Sequence, residues 1–275
     1  MIQLRFPGGY RKALTLSYDD GVDQDRKLIE LLDAAGIACT FNLNSGLFPP
    51  EDITYPAGQI HRRLPEKKVR ALYDTSRHEV AVHCLTHASL PELPVDQMIH
   101  EIHQDRLNLE SLFGTMVRGA AYPYGTFDSR AVEALSQCGI EYCRTVISSH
   151  RFDLPRDFLR LEATCHHNDP ELFRLCDDFR RDTSDHPLLF YLWGHSYEFE
   201  AHNNWERIEQ FCREMGGLPD VWYATNLQIC LYIKAFRALV YSADGKRIHN
   251  PTCMKLCFSD GQTTREIAPG ETLMI

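Results

Sequence analysis

Two adjacent acids, Asp19 and Asp20, close the run Leu14-Thr15-Leu16-Ser17-Tyr18 and stand before Gly21. Adjacent carboxylates repel each other unless a cation or a proton divides their roles. Gly21 marks a tight turn beside them. Farther along, His83 and His87 stand four apart in His83-Cys84-Leu85-Thr86-His87, and His195 ends Leu192-Trp193-Gly194-His195. On a helical turn or a compact loop, both imidazoles of the first pair can face one point. Two neutral histidines and a carboxylate suit zinc with coordination positions left open. Taken singly, the same residues read equally well as an acidic turn and an exposed histidine pair. The strand-like run before each group favours a metal site.

The elements that must position these residues alternate. Leu14–Tyr18 is a predicted strand that delivers the two acids. A helix from Asp23 carries Leu28, Leu31, Leu32 and Ala35 on one face and stops at Gly36. Ala38–Leu43 is the next strand, followed by a Pro- and Gly-bearing loop to about Leu64. Long loops in compact domains are often functional. Asn42 and Asn44 could meet a sugar hydroxyl or satisfy loop backbone. Strands at 79–82, 117–122, 142–146, 188–193 and 221–224 follow, with helical patterns between most of them. His100 and His103 fall on one such helix without partners at ligand spacing and read as surface residues. Residues 148–168 show little periodicity.

Alternating strands and helices indicate parallel βαβ units. Seven strands with the reactive residues at their ends fit a distorted (β/α)7 barrel, an α/β fold whose active face lies there. From about residue 237 the pattern changes. Leu239–Ser242, Met254–Phe258 and Thr272–Ile275 read as strands separated by turns at 243–245 and 259–261. The expected organisation is a barrel over 1–236 and a small β appendage over 237–275.

The net charge of −9 and the lack of a basic stripe disfavour a nucleic-acid partner. No apolar run is long enough for a bilayer. Met1–Pro7 lacks a charged head followed by an apolar stretch, so a cytoplasmic protein is expected. The ten cysteines include no Cys-x-x-Cys pair and read as reduced, mostly buried thiols. Cys253 and Cys257 flank a strand-like run, and metal binding there is disfavoured.

Four motifs in order resemble the metal-dependent polysaccharide deacetylases, a family that includes chitooligosaccharide and peptidoglycan deacetylases. Ser17-Tyr18-Asp19-Asp20-Gly21 is similar to the family's Thr-Phe-Asp-Asp-Gly motif. The resemblance implies that Asp19 is the catalytic base and Asp20 a metal ligand. His83-Cys84-Leu85-Thr86-His87 resembles His-Ser/Thr-x-x-His, implying two further ligands, with Cys84 where a hydroxyl is usual. Leu192-Trp193-Gly194-His195 resembles Leu-x-x-His and implies that His195 is the general acid. Ala121-Tyr122-Pro123-Tyr124-Gly125 resembles Arg-x-Pro-Tyr-Gly and implies that the Tyr124 N–H faces the oxyanion. The implied cofactor is one divalent ion, zinc by expectation, and the implied substrate an acetylated carbohydrate cleaved at an amide or an ester.

Ala121 stands where the family's arginine would steady the base. Arg144, at the end of the neighbouring strand, is the expected replacement; Arg118 begins its strand and is the weaker candidate. The carboxylate partner of His195 is open among Asp153, Asp157 and Asp169. His166 and His167 read as rim or surface residues, and Glu198 and Glu200 as substrate contacts or loop solvation. Rival readings are a catalytically silent carbohydrate-binding barrel, a non-heme iron enzyme using the same ligand set, and a glycosidase pairing Asp19 or Asp20 with Glu198.

Overall fold

A computed structural model describes residues 2–73 and 77–275. After a short strand β1 (Gln3–Arg5), the chain enters β2 (Lys12–Asp19), which is buried at every position. Period-two alternation gives β2 two faces. Leu14, Leu16 and Tyr18 join the larger apolar core, while Thr15 and Ser17 make hydrogen bonds on the opposite side. Strands and helices then alternate through α1 (Asp25–Ala35), β3 (Cys39–Leu43), α2 (Glu66–Tyr73), β4 (Glu79–Val82) and α3 (Val95–Phe113). They continue with β5 (Gly119–Ala121), α4 (Ser129–Gln137) and β6 (Tyr142–Ser148). Two short strands, β7 (Leu161–Ala163) and β8 (Cys165–His166), precede α5 (Leu172–Arg181) and β9 (Leu188–Gly194). The helices α6 (Tyr197–Ala201) and α7 (Trp205–Met215), strand β10 (Val221–Tyr223) and α8 (Asn226–Arg237) complete the α/β unit.

The strands pair in parallel in the order β7-β6-β5-β4-β3-β2-β9-β8. The two ends of that path are halves of one segment broken at Thr164. Thr164 N donates to Tyr191 O at 2.8 Å, and Thr164 O accepts from His150 N at 3.0 Å. The sheet is thereby rolled back toward its own start as a distorted barrel, with a register irregularity between Arg144 and Ser148. One stave differs from the sequence expectation. Segment 161–166 supplies it, whereas β10 lies off the path and pairs only with Lys12–Leu14 of β2. Pieces of three and two residues are too short for a period-two pattern to register.

The amino ends of the strands enclose a polar plug. Asn226, at the start of α8, hydrogen-bonds Thr15 Oγ1 (2.8 Å) and Tyr191 OH (2.7 Å). Glu79 accepts from Thr40 Oγ1 (2.9 Å), Tyr142 OH (2.7 Å) and Leu227 N (2.9 Å). This carboxylate therefore caps a helix and fixes two strands together.

Beyond α8 come β11 (Val240–Tyr241), β12 (Arg247–His249), β13 (Leu256–Ser259), β14 (Thr264–Ile267) and β15 (Thr272–Met274). They form two three-stranded sheets, one of which takes in β1 from the start of the chain. Its apolar face shares a core with α8 and with Leu189 and Tyr191 of β9. All ten cysteines are free, and only Cys253 is exposed. No helix among the described residues is long and apolar enough to cross a membrane.

Truncating Glu79 strands three donors. Glu79→Ala is expected to lower stability by at least about 3 kcal/mol, given 1–3 kcal/mol for each buried group left unsatisfied. Urea unfolding measures this, with the midpoint falling and the slope unchanged.

Candidate active site

The carboxyl ends of the strands bring the reactive side chains together. Asp19, the last residue of β2, accepts a hydrogen bond from Arg144 Nη2 of β6 and one from Asn42 Nδ2 of β3 at 2.7 Å. Arg144 is 1% exposed and lies 4.1 Å from the ring centroid of Trp193. His195 Nε2 and His83 Nε2 stand 3.7 and 3.8 Å from Asp19 Oδ2. Burial alone would raise the Asp19 pKa; Arg144, then His83 and His195, outweigh it and hold the carboxyl below its ordinary value.

Asp20 turns away with a φ of 83°, a left-handed conformation uncommon outside glycine. Arg63 holds it there, donating to its carbonyl at 2.7 Å and to Oδ1 at 2.8 Å. His61 Nε2 lies 3.2 Å from Oδ2. Burial opposes ionisation, but the His61 contact, His83 and Arg63 drive the Asp20 pKa far below the usual range.

The loop from His83 to His87 is held by carboxylates one turn apart on α3. Asp105 accepts from His83 N (3.1 Å) and Ser45 N (2.7 Å), and Glu101 from Thr86 N (2.8 Å) and Thr86 Oγ1 (2.7 Å). Cys84 and His87 take φ values of 61° and 58°, and the His87 ring returns to within 4.8 Å of the His83 ring. His83 Nδ1 lies 2.9 Å from Ala121 O, a partner that can only accept, so Nδ1 carries the proton and Nε2 has a free lone pair. Burial, followed by the neighbouring His83, lowers the His87 pKa to about 4. The ligand-type atoms of Asp20, His83 and His87 all lie within 4.8 Å of one another. A carboxylate and two neutral imidazoles so gathered could hold a divalent metal.

His195 Nδ1 lies 3.1 Å from Glu198 Oε1 of α6. Glu198 Oε2 is 2.9 Å from His167 Nε2, 3.3 Å from His166 Nε2 and 3.1 Å from Asn168 Nδ2. Burial opposes a protonated His195, but Glu198, then Asp19 and Asp20, outweigh it and raise the pKa. His166, His167 and Glu198 also cluster like metal ligands. However, His166 Nδ1 accepts from Asn168 N at 3.1 Å, which leaves the ring proton on Nε2, facing Glu198. That arrangement suits a carboxylate cradle better than a ligand set.

Glu198 occupies the place beside His195 for which Asp153, Asp157 and Asp169 were candidates. Those acids pair instead with Arg151 (3.6 Å), Arg160 (2.5 Å) and His150 (2.7 Å). Arg118 pairs with Glu141 at the far end of the strands. Asn44 serves loop backbone, donating to the carbonyls of His83 and Cys84. Tyr124 sits at φ 58° with its side chain exposed and its ring 4.6 Å from that of His87. A carboxylate and an imidazole flanking a possible metal site can accept a proton on one side of a substrate and return it on the other.

Residues 8–143 match the family model described as polysaccharide deacetylase. That span belongs to the polysaccharide deacetylase family. Asp19, Asp20, His83, His87 and Tyr124 lie within the matched span; Arg144 and His195 lie beyond it. A crystal structure from Mycobacterium smegmatis, assigned as a polysaccharide deacetylase, is 16% identical and covers 86% of this chain and 94% of its own, with a TM-score of 0.59. That likeness supports the fold. The structure of a peptidoglycan deacetylase from Bacillus subtilis covers 83% of this chain and 94% of its own at 15% identity and TM-score 0.49. An uncharacterised protein of Streptomyces coelicolor is 29% identical over 126 residues, 46% of this chain and 44% of that protein. The match thus spans less than half the length of that curated relative.

Sequence reasoning passed over His61, Arg63, Glu101 and Asp105 as members of this neighbourhood. The available signal was strongest for Glu101 and Asp105, acids four apart on the helix face that also carries Met98, Ile102 and Leu109.

Removing the charge of Arg144 leaves a buried carboxylate uncompensated. Arg144→Met is expected to destabilise the protein by about 3–5 kcal/mol. Arg118→Met, which breaks a more exposed pair, should cost no more than about 1 kcal/mol. Equal losses in denaturant titrations would contradict the placement of Arg144.

Proposed function

We propose that this protein is a metal-dependent carbohydrate deacetylase that hydrolyses an acetyl amide, or an acetyl ester, on a sugar. The observation that carries the reading is the meeting of Asp19, the Asp20–His83–His87 group and His195 at one rim of the sheet. A divalent ion, zinc by the nature of the donor set, held by Asp20, His83 and His87 would supply Lewis acidity toward the acyl carbonyl and water. Asp19 takes the proton of the attacking water as the new C–O bond forms. Arg144 and Asn42 keep that carboxylate ionised and fix its direction. The N–H of Tyr124 is offered to the developing oxyanion. His195 returns a proton to the leaving nitrogen or oxygen as the acyl bond breaks, releasing acetate. Glu198 accepts from His195 Nδ1 and leaves Nε2 facing the cleft.

A non-heme iron reading would leave the Asp19–Arg144 and His195–Glu198 pairs unused. A glycosidase using Glu198 would have to free a carboxylate already engaged by His195, His166 and His167.

Acetate release from a panel of N- and O-acetylated sugars tests the proposal. Metal-loaded protein should release acetate, and chelation should abolish it. Asp19→Asn and His195→Ala should each lower turnover by about 10²–10⁴-fold without loss of metal. Unchanged turnover in either variant would remove that residue from the mechanism. Glu198→Gln removes the foremost influence raising the His195 pKa. The acid then deprotonates at lower pH, so the alkaline limb of kcat/KM should move downward. An unmoved limb would separate Glu198 from the acid.

A further inference from the structure

Segment 60–64 runs alongside the turn that follows β2. Asp23 N donates to Arg62 O at 2.8 Å, and Leu64 N to Gly21 O at 2.9 Å. Val22 and Arg63 form an antiparallel bridge between these stretches. From this position Arg63 makes three hydrogen bonds of fixed geometry. Nη2 donates to Asp20 Oδ1 (2.8 Å), and Nη1 donates to Asp20 O (2.7 Å) and Asn44 Oδ1 (2.8 Å). Asn44 is fully buried and passes the connection on, donating to Cys84 O at 2.8 Å and to His83 O. One guanidinium therefore ties the left-handed Asp20 peptide and its carboxylate to the loop that carries His83 and His87.

We propose that Arg63, acting through Asn44, is a positioning residue that sets the spacing between Asp20 and the two histidines of the metal group. The proposal rests on the metal reading given above. Two effects of opposite sign meet at this residue. A guanidinium beside a ligand carboxylate repels a dication and, by itself, weakens metal binding. The same fork holds the carboxylate where a metal would need it and spares the ordering cost on binding, which strengthens it. Two directed hydrogen bonds on a strained, buried ligand, with a third to Asn44, favour the second effect. The backbone of the segment has an independent anchor, because Arg62 grips Glu200 of α6 with two hydrogen bonds of 2.8 Å. Gln24 Nε2 also donates to Glu200 and to Ile60 O, both at 2.7 Å. Truncating Arg63 should therefore leave the segment in place.

Zinc affinity of the metal-stripped full chain, measured by competition with a chromophoric chelator, tests this without reference to turnover. Arg63→Met should bind zinc about 10–100-fold more weakly, the usual size of effect for groups that orient a ligand. Arg63→Lys keeps the charge but not the fork, so it should weaken binding in the same direction and guards against a folding defect in the methionine variant. Arg62→Met should bind as the unaltered protein does. Asn44→Ala should weaken binding too, and the double variant should fall short of the sum, because both act through one connection. Affinity unchanged or tightened in Arg63→Met would overturn the proposal while leaving the metal reading intact. An unaltered protein that binds no zinc would overturn both.

Discussion

The buried pair between Asp19 and Arg144 is the constraint on which the rest of the site depends. Both side chains are shut away from solvent, and neither charge could stay there alone. β2 and β6 are not neighbours; β3, β4 and β5 lie between them in the sheet order. The pair therefore spans the inside of the rolled sheet, and it can form only if the sheet curls enough to bring these strand ends together. Trp193 of β9 supports the guanidinium from another side. The carboxylate so fixed lies next to His83 and His195, each delivered by a different strand end. The local charges thus report on the curvature of the whole sheet.

The two ends of the strands use polar groups differently. At the amino ends, Glu79, Tyr142, Tyr191 and Asn226 satisfy one another, and α8 is capped by the same network. At the carboxyl ends, the polar groups are directed outward along the cleft. His83 Nε2 and His195 Nε2 both point toward Asp19, while their other nitrogens are committed to Ala121 O and Glu198. Committing one nitrogen of an imidazole sets what the other can do. Neighbouring elements hold the remaining groups in place: α3 fixes the His83–His87 loop through Glu101 and Asp105, segment 60–64 fixes Asp20 through His61 and Arg63, and α6 fixes His195 through Glu198.

Much of this was legible in the sequence because strand ends announce themselves. An apolar run followed by an acid or a histidine identified Asp19, Asp20, His83 and His195 as residues of one face. The arginine closing the run at Tyr142-Cys143-Arg144 could be placed on that face by the same logic. The stave at 161–166 escaped because its two pieces are too short to show a period. Glu198 was noticed only as a nearby acid; its position beside His195 depends on the turn into α6, which places a residue three further on next to the histidine. His61 and Arg63 sit in a loop without periodicity, where composition identifies a functional stretch but not which side chain returns to the site. Glu101 and Asp105 were recoverable in principle, since acids on the apolar face of a helix need a buried partner. Their partners, however, are mostly backbone N–H groups, and sequence carries no mark of which N–H is left unpaired.

In the proposed reading, Asp20, His83 and His87 hold the metal, with Asp19 and His195 beside it. Crystals grown with zinc, measured on both sides of the zinc absorption edge, test that reading most directly. The account predicts one anomalous peak within bonding distance of Asp20, His83 and His87. A peak confined to the His166–His167–Glu198 cluster, or no peak at either place, would contradict it.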